Sequence, residues 1–313
     1  MKLIAVTAAA LLATAAAPTG VEVTAPGPQG ALAGTLVDPG KDAPAIVIIP
    51  GSGPTDRDGN NPLGVRGAIY RQLAEALAAK GVATLRIDKR GLFGSKAAIP
   101  DPSDVTIAAY AADARAWADM LRAKTGRKCV WLLGHSEGSL VALVAAQHPT
   151  GICGLILVAG AGRPYGELIR AQLRASPTIG PLLAPAEATI DQLEAGKRVP
   201  DASVPAPLQP LFNDKIQGFL LDAFSYDPAK LIGAVKLPVL ILQGDRDVQM
   251  PVANAELLKR GQPAATLDLL PGVNHVLKMV SSDDRAANLA TYGNADLPIA
   301  PTVPDTIAQF VRK

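Results

Sequence analysis

From residue 21 onward the chain alternates short apolar runs with longer stretches in which apolar residues recur every third or fourth position. The runs read as strands and the stretches as helices. "VEVTAPG" and "GALAGTLVDPG" are strand-like segments split by a Gly/Pro turn, which predicts a hairpin. "APAIVIIPG" is a continuous apolar run between Pro and Gly, the pattern of an interior parallel strand buried on both faces. Ile69, Leu73, Ala76 and Leu77 then recur at helical spacing until Gly81, "VATLRID" is the next strand, and residues 106–122 form an alanine-rich helix. "CVWLLG", a helix from Ser136 to about His148, and "CGLILVAG" continue the series. After an interruption, "LPVLILQG", a helix over 251–260, the strand "ATLDLLPG" and a closing helix in "VPDTIAQFVRK" resume it. Such alternation predicts an α/β fold: a mostly parallel eight-stranded sheet with helices on both faces.

The interruption, residues 163–236, contains helix-like pieces ("YGELIRAQLRA", "EATIDQLEAG", "LFNDKIQGFLLDAF") broken by prolines 177, 181, 185, 200, 205, 207 and 210. It carries no strand signal, so it reads as a helical cap inserted after strand 6, leaving 21–162 and 237–313 as the core. The first 20 residues read as an export signal: Lys2 supplies the positive start, "LIAVTAAALLATAAA" the apolar stretch, and small residues precede Pro18. An Ala-rich N-terminal helix is the alternative. The expectation is a periplasmic or extracellular protein, and the alanine richness makes the run a poor membrane span. No cysteine lies near the cleavage region, so no stable membrane anchor is expected.

A formal charge of +2, with few charge runs, gives no electrostatic surface for nucleic acid. Oligomeric state is left open. The two cysteines, Cys129 and Cys153, are too few for a disulfide scaffold. Each starts a strand of one β-α-β unit, which makes a bridge geometrically open in an exported protein. Two buried free thiols are the favoured expectation.

The chemistry centres on "GHSEG", residues 134–138, between a strand and a helix. A nucleophilic serine needs exposure at a strand end, a general base, and backbone N–H groups for the oxyanion. A Gly-x-Ser-x-Gly turn supplies the first, holding Ser136 proud of the sheet. A serine ahead of a helix is otherwise an N-cap, so partners must decide. "LILQGDRDVQMP" puts Asp247 in a turn after the seventh strand, and "LLPGVNHVLK" puts His275 beyond the last. The order Ser, Asp, His, each at a strand's carboxyl end, predicts His275 as base and Asp247 as the group that orients it. Asp245 is the other acid in that loop and reads as a turn residue. Of the three histidines, His135 is expected to pack beside the sheet and His148 to sit at a helix C-terminus.

On these residues the chain resembles the α/β-hydrolase fold enzymes, over nearly everything after the first 20 positions. "GSGPTDRDGN", residues 51–60, resembles the GSGP-x-DRDG loop of a bacterial carboxylesterase group also described as serine aminopeptidase-like hydrolases. "RIDKRGLFGS", residues 86–95, is similar to the superfamily's D-x-RG-x-G-x-S loop, with one residue inserted between the glycines. The resemblance implies an oxyanion hole made by the backbone N–H of Glu137 and that of Ser52, with Gly53 the alternative to Ser52. Asp56, Arg57 and Asp58 read as a turn with an internal ion pair, or else as substrate contacts. Asp88 and Arg90 read as loop anchors beneath the site.

Triad and oxyanion hole together mean acyl transfer, with water the default acceptor. No dinucleotide fingerprint and no metal-ligand spacing is present in the sequence, so neither cofactor nor metal is expected. The cap's apolar content ("GPLLAP", "LQPLFN", "GFLLDAF") points to short- to medium-chain acyl esters as small-molecule substrates. A serine aminopeptidase is the alternative and would need Glu137, Glu167 or Asp222 to hold an ammonium group. A thioesterase or acyltransferase, and a ligand-binding homologue without turnover, stay open.

Overall fold

Apolar runs too short for a helix bury best as strands, and where both faces are covered no alternation is required. That is the state of β3 (Ala45–Ile49), β4 (Ala83–Ile87), β5 (Val130–His135) and β7 (Val239–Gly244), every residue of which is buried. The computed structural model describes residues 19–40, 42–176 and 178–313. The expected export signal covers residues 1–20, of which 1–18 lie outside the described residues. With β1 (Val21–Ala25), β2 (Leu32–Val37), β6 (Ile152–Val158) and β8 (Thr266–Leu270), the strands form one eight-stranded sheet in the order β1-β2-β4-β3-β5-β6-β7-β8. β1 and β2 make the expected hairpin, β2 pairs antiparallel with β4, and all pairs from β4 to β8 are parallel.

Successive strand residues face opposite ways, so two cores form. Val47, Leu85, Leu132 and Leu155 pack on one side with α2 (Ile107–Thr125) and α3 (Glu137–Ala145). Ile46, Ile48, Leu133 and Ile156 pack on the other with α1 (Ile69–Ala79) and the closing helix at Thr302–Phe310. Thr106 caps α2 by accepting the Ala109 N–H, and Gly81 ends α1 with φ +68°.

Between β6 and β7 lie α4 (Tyr165–Arg174), α5 (Leu183–Glu194), α6 (Gln209–Phe212), α7 (Asp214–Phe224) and α8 (Pro228–Ala234). Ile190, Leu193, Leu208, Phe212 and Leu220 make a separate cluster here, tied by buried Gln217, which bonds Val199 N, Val199 O and Phe212 O. Two details depart from expectation. Pro185 does not break α5 but sits in its first turn, where a missing N–H costs no bond. Ile232 of α8 packs into the core beneath the sheet rather than into the cap cluster. After β8, residues 276–300 carry no periodic signal, yet they hold α10 (Arg285–Ala290) and bridges from Val273 to Met279 and Lys278 to Ile299. α9 (Val252–Gly261) lies between β7 and β8, and α11 (Thr302–Phe310) follows the 276–300 segment. Among the described residues no helix is long and apolar enough to cross a membrane.

The cysteines correct the expectation of free thiols: Cys129 and Cys153 form a disulfide, with Cα atoms 5.1 Å apart. The register between β5 and β6 shifts at Val130/Trp131, pairing Val130 with Ile152 and Trp131 with Gly154, so Cys153 is the extra residue that meets Cys129. Both are half-buried, so they do not behave as sealed core thiols. The bridge closes a loop of sequence separation 24. Reducing it is expected to lower unfolding stability by about 3 kcal/mol, read as a lower urea midpoint with dithiothreitol. An unchanged midpoint, with two titratable thiols in the untreated protein, would rule the bridge out.

Candidate active site

The parallel strands β3, β5, β7 and β8 bring four chain segments to the same rim of the sheet. β5 ends at His135 and α3 starts at Glu137, leaving one residue for the turn, Ser136, at φ 55° and ψ −119°. A non-glycine residue there costs on the order of 1–3 kcal/mol and persists only when its surroundings enforce it. They do: a Cβ on Gly134 would collide with the Gly138 carbonyl, and one on Gly138 with the carbonyls of Ile49 and Pro50. The serine makes no side-chain cap bond to α3, so the N-cap role does not apply.

After β7, the buried Asp247 carboxylate is surrounded by donors. Its Oδ1 accepts the N–H groups of Gln249 (2.8 Å) and Met250 (2.7 Å), and its Oδ2 accepts Gln243 Nε2 at 3.3 Å and His275 Nδ1 at 2.7 Å. Burial pushes this carboxyl up; the His275 ring and the bonds from it, Met250 and Gln249 outweigh that and hold it below the usual carboxylate value. Asp247 is therefore ionised and accepts only, so Nδ1 of His275 carries a proton and Nε2 is the ring nitrogen left to accept one from a nucleophile. Asp245 bonds elsewhere, accepting the Gly272 N–H at 2.7 Å.

The structure joins Asp247 to His275 directly. Ser136 stands at the same rim of the sheet, and the ring centroid of His135, the residue before it, lies 4.9 Å from that of His275. Among the described residues, Ser136 Oγ makes no hydrogen bond to His275; without a substrate such contacts are commonly long and tighten on binding. Gly51 packs on the serine, its absent Cβ position lying 3.4 Å from Ser136 Cβ. The N–H groups of Ser52, Gly53 and Glu137 have no acceptor among the described residues. The Ser52 carbonyl is turned away onto the Thr55 hydroxyl at 2.9 Å.

Those three residues border a cavity of about 560 Å³ between the sheet rim and α4 and α7. Its wall is apolar, with Leu92, Val105, Ile169, Leu173, Phe219 and Leu220, and Lys89 and Glu137 are among its polar groups. The Glu137 carboxylate is buried and paired with Lys89 Nζ at 3.3 Å. Asp222 accepts the Ile107 and Ala108 N–H groups at the start of α2, and Glu167 is exposed outside the cavity lining.

The 56–58 loop corrects its expectation. Arg57 does not pair within the turn; its guanidinium binds Asp88 Oδ2 (2.7 Å) and Glu22, while Asp58 binds Arg86. Asp56 alone serves the turn, accepting the N–H groups of Asp58 and Asn60. Sequence spacing made an internal pair look natural, but the side chains of neighbouring residues diverge once the loop folds onto β2 and β4. Asp88 and Arg90 do anchor loops, Asp88 also accepting the Gly94 N–H and Arg90 forking onto Asp113 at 2.7 and 2.6 Å. The inserted residue of that loop is absorbed at Phe93, φ 45°. Two further residues carried no local signal: Tyr70, which bonds Gly51 and His135, and Lys278, a fully buried lysine whose Nζ binds the carbonyls of Asn294 and Leu297 behind His275. Among the described residues no group of three or more His, Cys, Asp or Glu side chains is arranged to hold a metal ion.

Comparison with known proteins agrees with this architecture. Residues 46–290 match the model of the "Alpha/beta hydrolase family". Esterase EstD of Thermotoga maritima is 28% identical over 278 residues, covering 86% of this chain; the chain spans 62% of that relative's length. Est1E from Butyrivibrio proteoclasticus superposes with a TM-score of 0.57 at 18% identity, covering 94% of this chain and all of that one. The Pyrococcus furiosus esterase Pf2001 does so with a TM-score of 0.58 at 14% identity, covering 94% and 92%. At such identities the structural likeness is one of fold.

Proposed function

The chain belongs to the α/β-hydrolase family, and from that premise we propose that it is a serine carboxylesterase acting on short- to medium-chain acyl esters. The observation that carries this is the buried 2.7 Å bond from His275 to Asp247, at the sheet rim where the turn residue Ser136 is held at φ 55°. His275 Nε2 takes the Ser136 proton as Oγ attacks the ester carbonyl. The N–H groups of Ser52 and Glu137 receive the developing oxyanion. His275 then returns the proton to the leaving alcohol, and water repeats the sequence on the acyl-enzyme. The apolar cavity accounts for an acyl chain. The esterase name of the Thermotoga relative supports the same reaction class.

The aminopeptidase alternative has less support, because a substrate ammonium needs an unengaged carboxylate. Glu137 is held by Lys89, and Asp222 caps α2. Export to an oxidising compartment belongs to this reading, and the Cys129–Cys153 bridge supports it.

The test is a panel of p-nitrophenyl acetate, butyrate, octanoate and palmitate beside aminoacyl p-nitroanilides. The expected kcat/KM peaks at butyrate or octanoate and is about 100-fold lower for palmitate and the anilides. Anilide turnover equal to or faster than that of the esters would reverse the assignment in favour of a peptidase. A purified protein that turns over none of them would favour a binding role.

A further inference from the structure

Gly51 precedes the proposed oxyanion residue Ser52, and buried side chains take both of its peptide groups. Its N–H donates to Tyr70 Oη at 3.0 Å, and its C=O accepts from Lys89 Nζ at 2.8 Å. Tyr70 comes from α1 and Lys89 from the loop just after β4. Each then reaches a residue flanking the nucleophile. The Tyr70 hydroxyl lies 2.8 Å from His135 Nδ1, and Lys89 Nζ lies 3.3 Å from Glu137 Oε1 and 5.2 Å from the Tyr110 ring centroid.

Proton counting fixes the direction of this network. The Gly51 N–H donates to the Tyr70 oxygen, so the Tyr70 O–H is left to donate to His135 Nδ1. Burial, with the neighbouring His275, pulls His135 down to about 3, so its ring is neutral and Nε2 bears the proton. That Nε2–H donates to the His275 carbonyl at 2.9 Å. One chain of bonds therefore runs from the oxyanion loop, past the residue before Ser136, to the backbone of the base. A second runs from the same glycine to the residue after Ser136.

We propose that Tyr70 and Lys89 are positioning residues that clamp Gly51 from both sides against His135 and Glu137, and so set the spacing of the Ser52 and Glu137 amides and their register with His275. The proposal rests on the reading of Ser136 as nucleophile and of those amides as the oxyanion hole. Oxyanion donors act on a charge that exists only in the transition state, and about 0.5 Å of misplacement is enough to lose them. Beyond this clamp, the bonds that hold residues 51–53 among the described residues are the turn bonds from Thr55 to Ser52 O and Gly53 O, both 2.9 Å. The clamp supplies the rigidity that the turn lacks.

Tyr70→Phe and Lys89→Met are the test, with p-nitrophenyl butyrate as substrate. Two inhibitors of matched chain length separate the states: a trifluoromethyl ketone, which adds Ser136 and places charge in the hole, and the methyl ketone, which binds without that charge. In each variant kcat is expected to fall about 10- to 100-fold with KM within about threefold. The inhibition constant of the trifluoromethyl ketone should rise by a similar factor, with that of the methyl ketone unchanged. Lys89→Arg, which keeps donors for Gly51 O and Glu137, should recover most of the rate. Should Lys89→Met not fold, Lys89→Met with Glu137→Gln removes both buried charges and carries the same readout. The clamp is overturned if kcat stays within twofold in both variants, or if both ketones weaken together. Ser136→Ala run alongside keeps the two readings apart. An inactive Ser136→Ala with fully active Tyr70 and Lys89 variants defeats the clamp alone, whereas an active Ser136→Ala defeats the nucleophile assignment beneath it.

Discussion

Alanine at position 136 is expected to lower kcat for p-nitrophenyl butyrate by about 10⁵-fold while leaving KM within about threefold. The hydroxyl is the only group lost, and the cavity proposed to take the acyl chain is not lined by it. The amides proposed as the oxyanion hole remain and are expected to leave residual turnover above that in water. Stability supplies the second half of the test. Ser136 makes no cap bond to α3, so the variant is expected to unfold within about 0.5 kcal/mol of the parent. An N-capping serine predicts the reverse pair: full activity and a loss of about 1 kcal/mol. Glycine at the same position relieves the strain of φ 55° and is expected to stabilise by about 1 kcal/mol while abolishing turnover. Steady-state kinetics beside urea unfolding reads all of this. Undiminished hydrolysis by the alanine variant would end the serine mechanism for this protein.

Asp247→Asn is expected to cost about 10⁴-fold in kcat, and the surrounding bonds say why so small a change matters. The Gln249 and Met250 amides both donate to Oδ1. An asparagine must therefore keep its carbonyl oxygen there and turn its NH₂ toward His275. Nδ1 then has to accept, the proton moves to Nε2, and the ring can no longer receive one from Ser136. The fold is kept and the tautomer reversed. Asp245→Asn is the control: that side chain serves Gly272 and does not touch the imidazole, so its kcat is expected within about threefold of the parent. Equal losses in the two variants would move the acid role away from Asp247.

Both predictions draw on what local sequence carries well. The 2.0 and 3.6 periodicities mark strands and helices because each element must bury its own apolar face. Thus β1 to β8, α1, α2, α3 and, among the described residues, a helical segment between β6 and β7 were readable. So was the position of Ser136, Asp247 and His275 after three strands, since a turn motif and chain order are local facts. Less was readable where the signal is not periodic. Residues 276–300 have no amphipathic pattern because they cover the His275 loop with turns and a short helix, held by the buried ammonium of Lys278. Pro185 looked like a breaker because a sequence does not say whether a proline stands in a first turn or a middle one.

What the amino-acid order determined by itself is the layered α/β architecture, the strand–turn–helix around Ser136, and an Asp and a His at later strand ends. Tertiary structure alone decided which charges pair, Arg57 reaching Asp88 and Glu22 rather than its own loop. It decided that a one-residue register shift brings Cys153 onto Cys129. It also decided that Tyr70 and Lys89, 19 residues apart in the chain, converge on the N–H and the C=O of one glycine. The reason is physical: periodic burial is repeated along a segment, whereas a hydrogen bond or a disulfide depends on a few ångströms between atoms that only the packed sheet brings together.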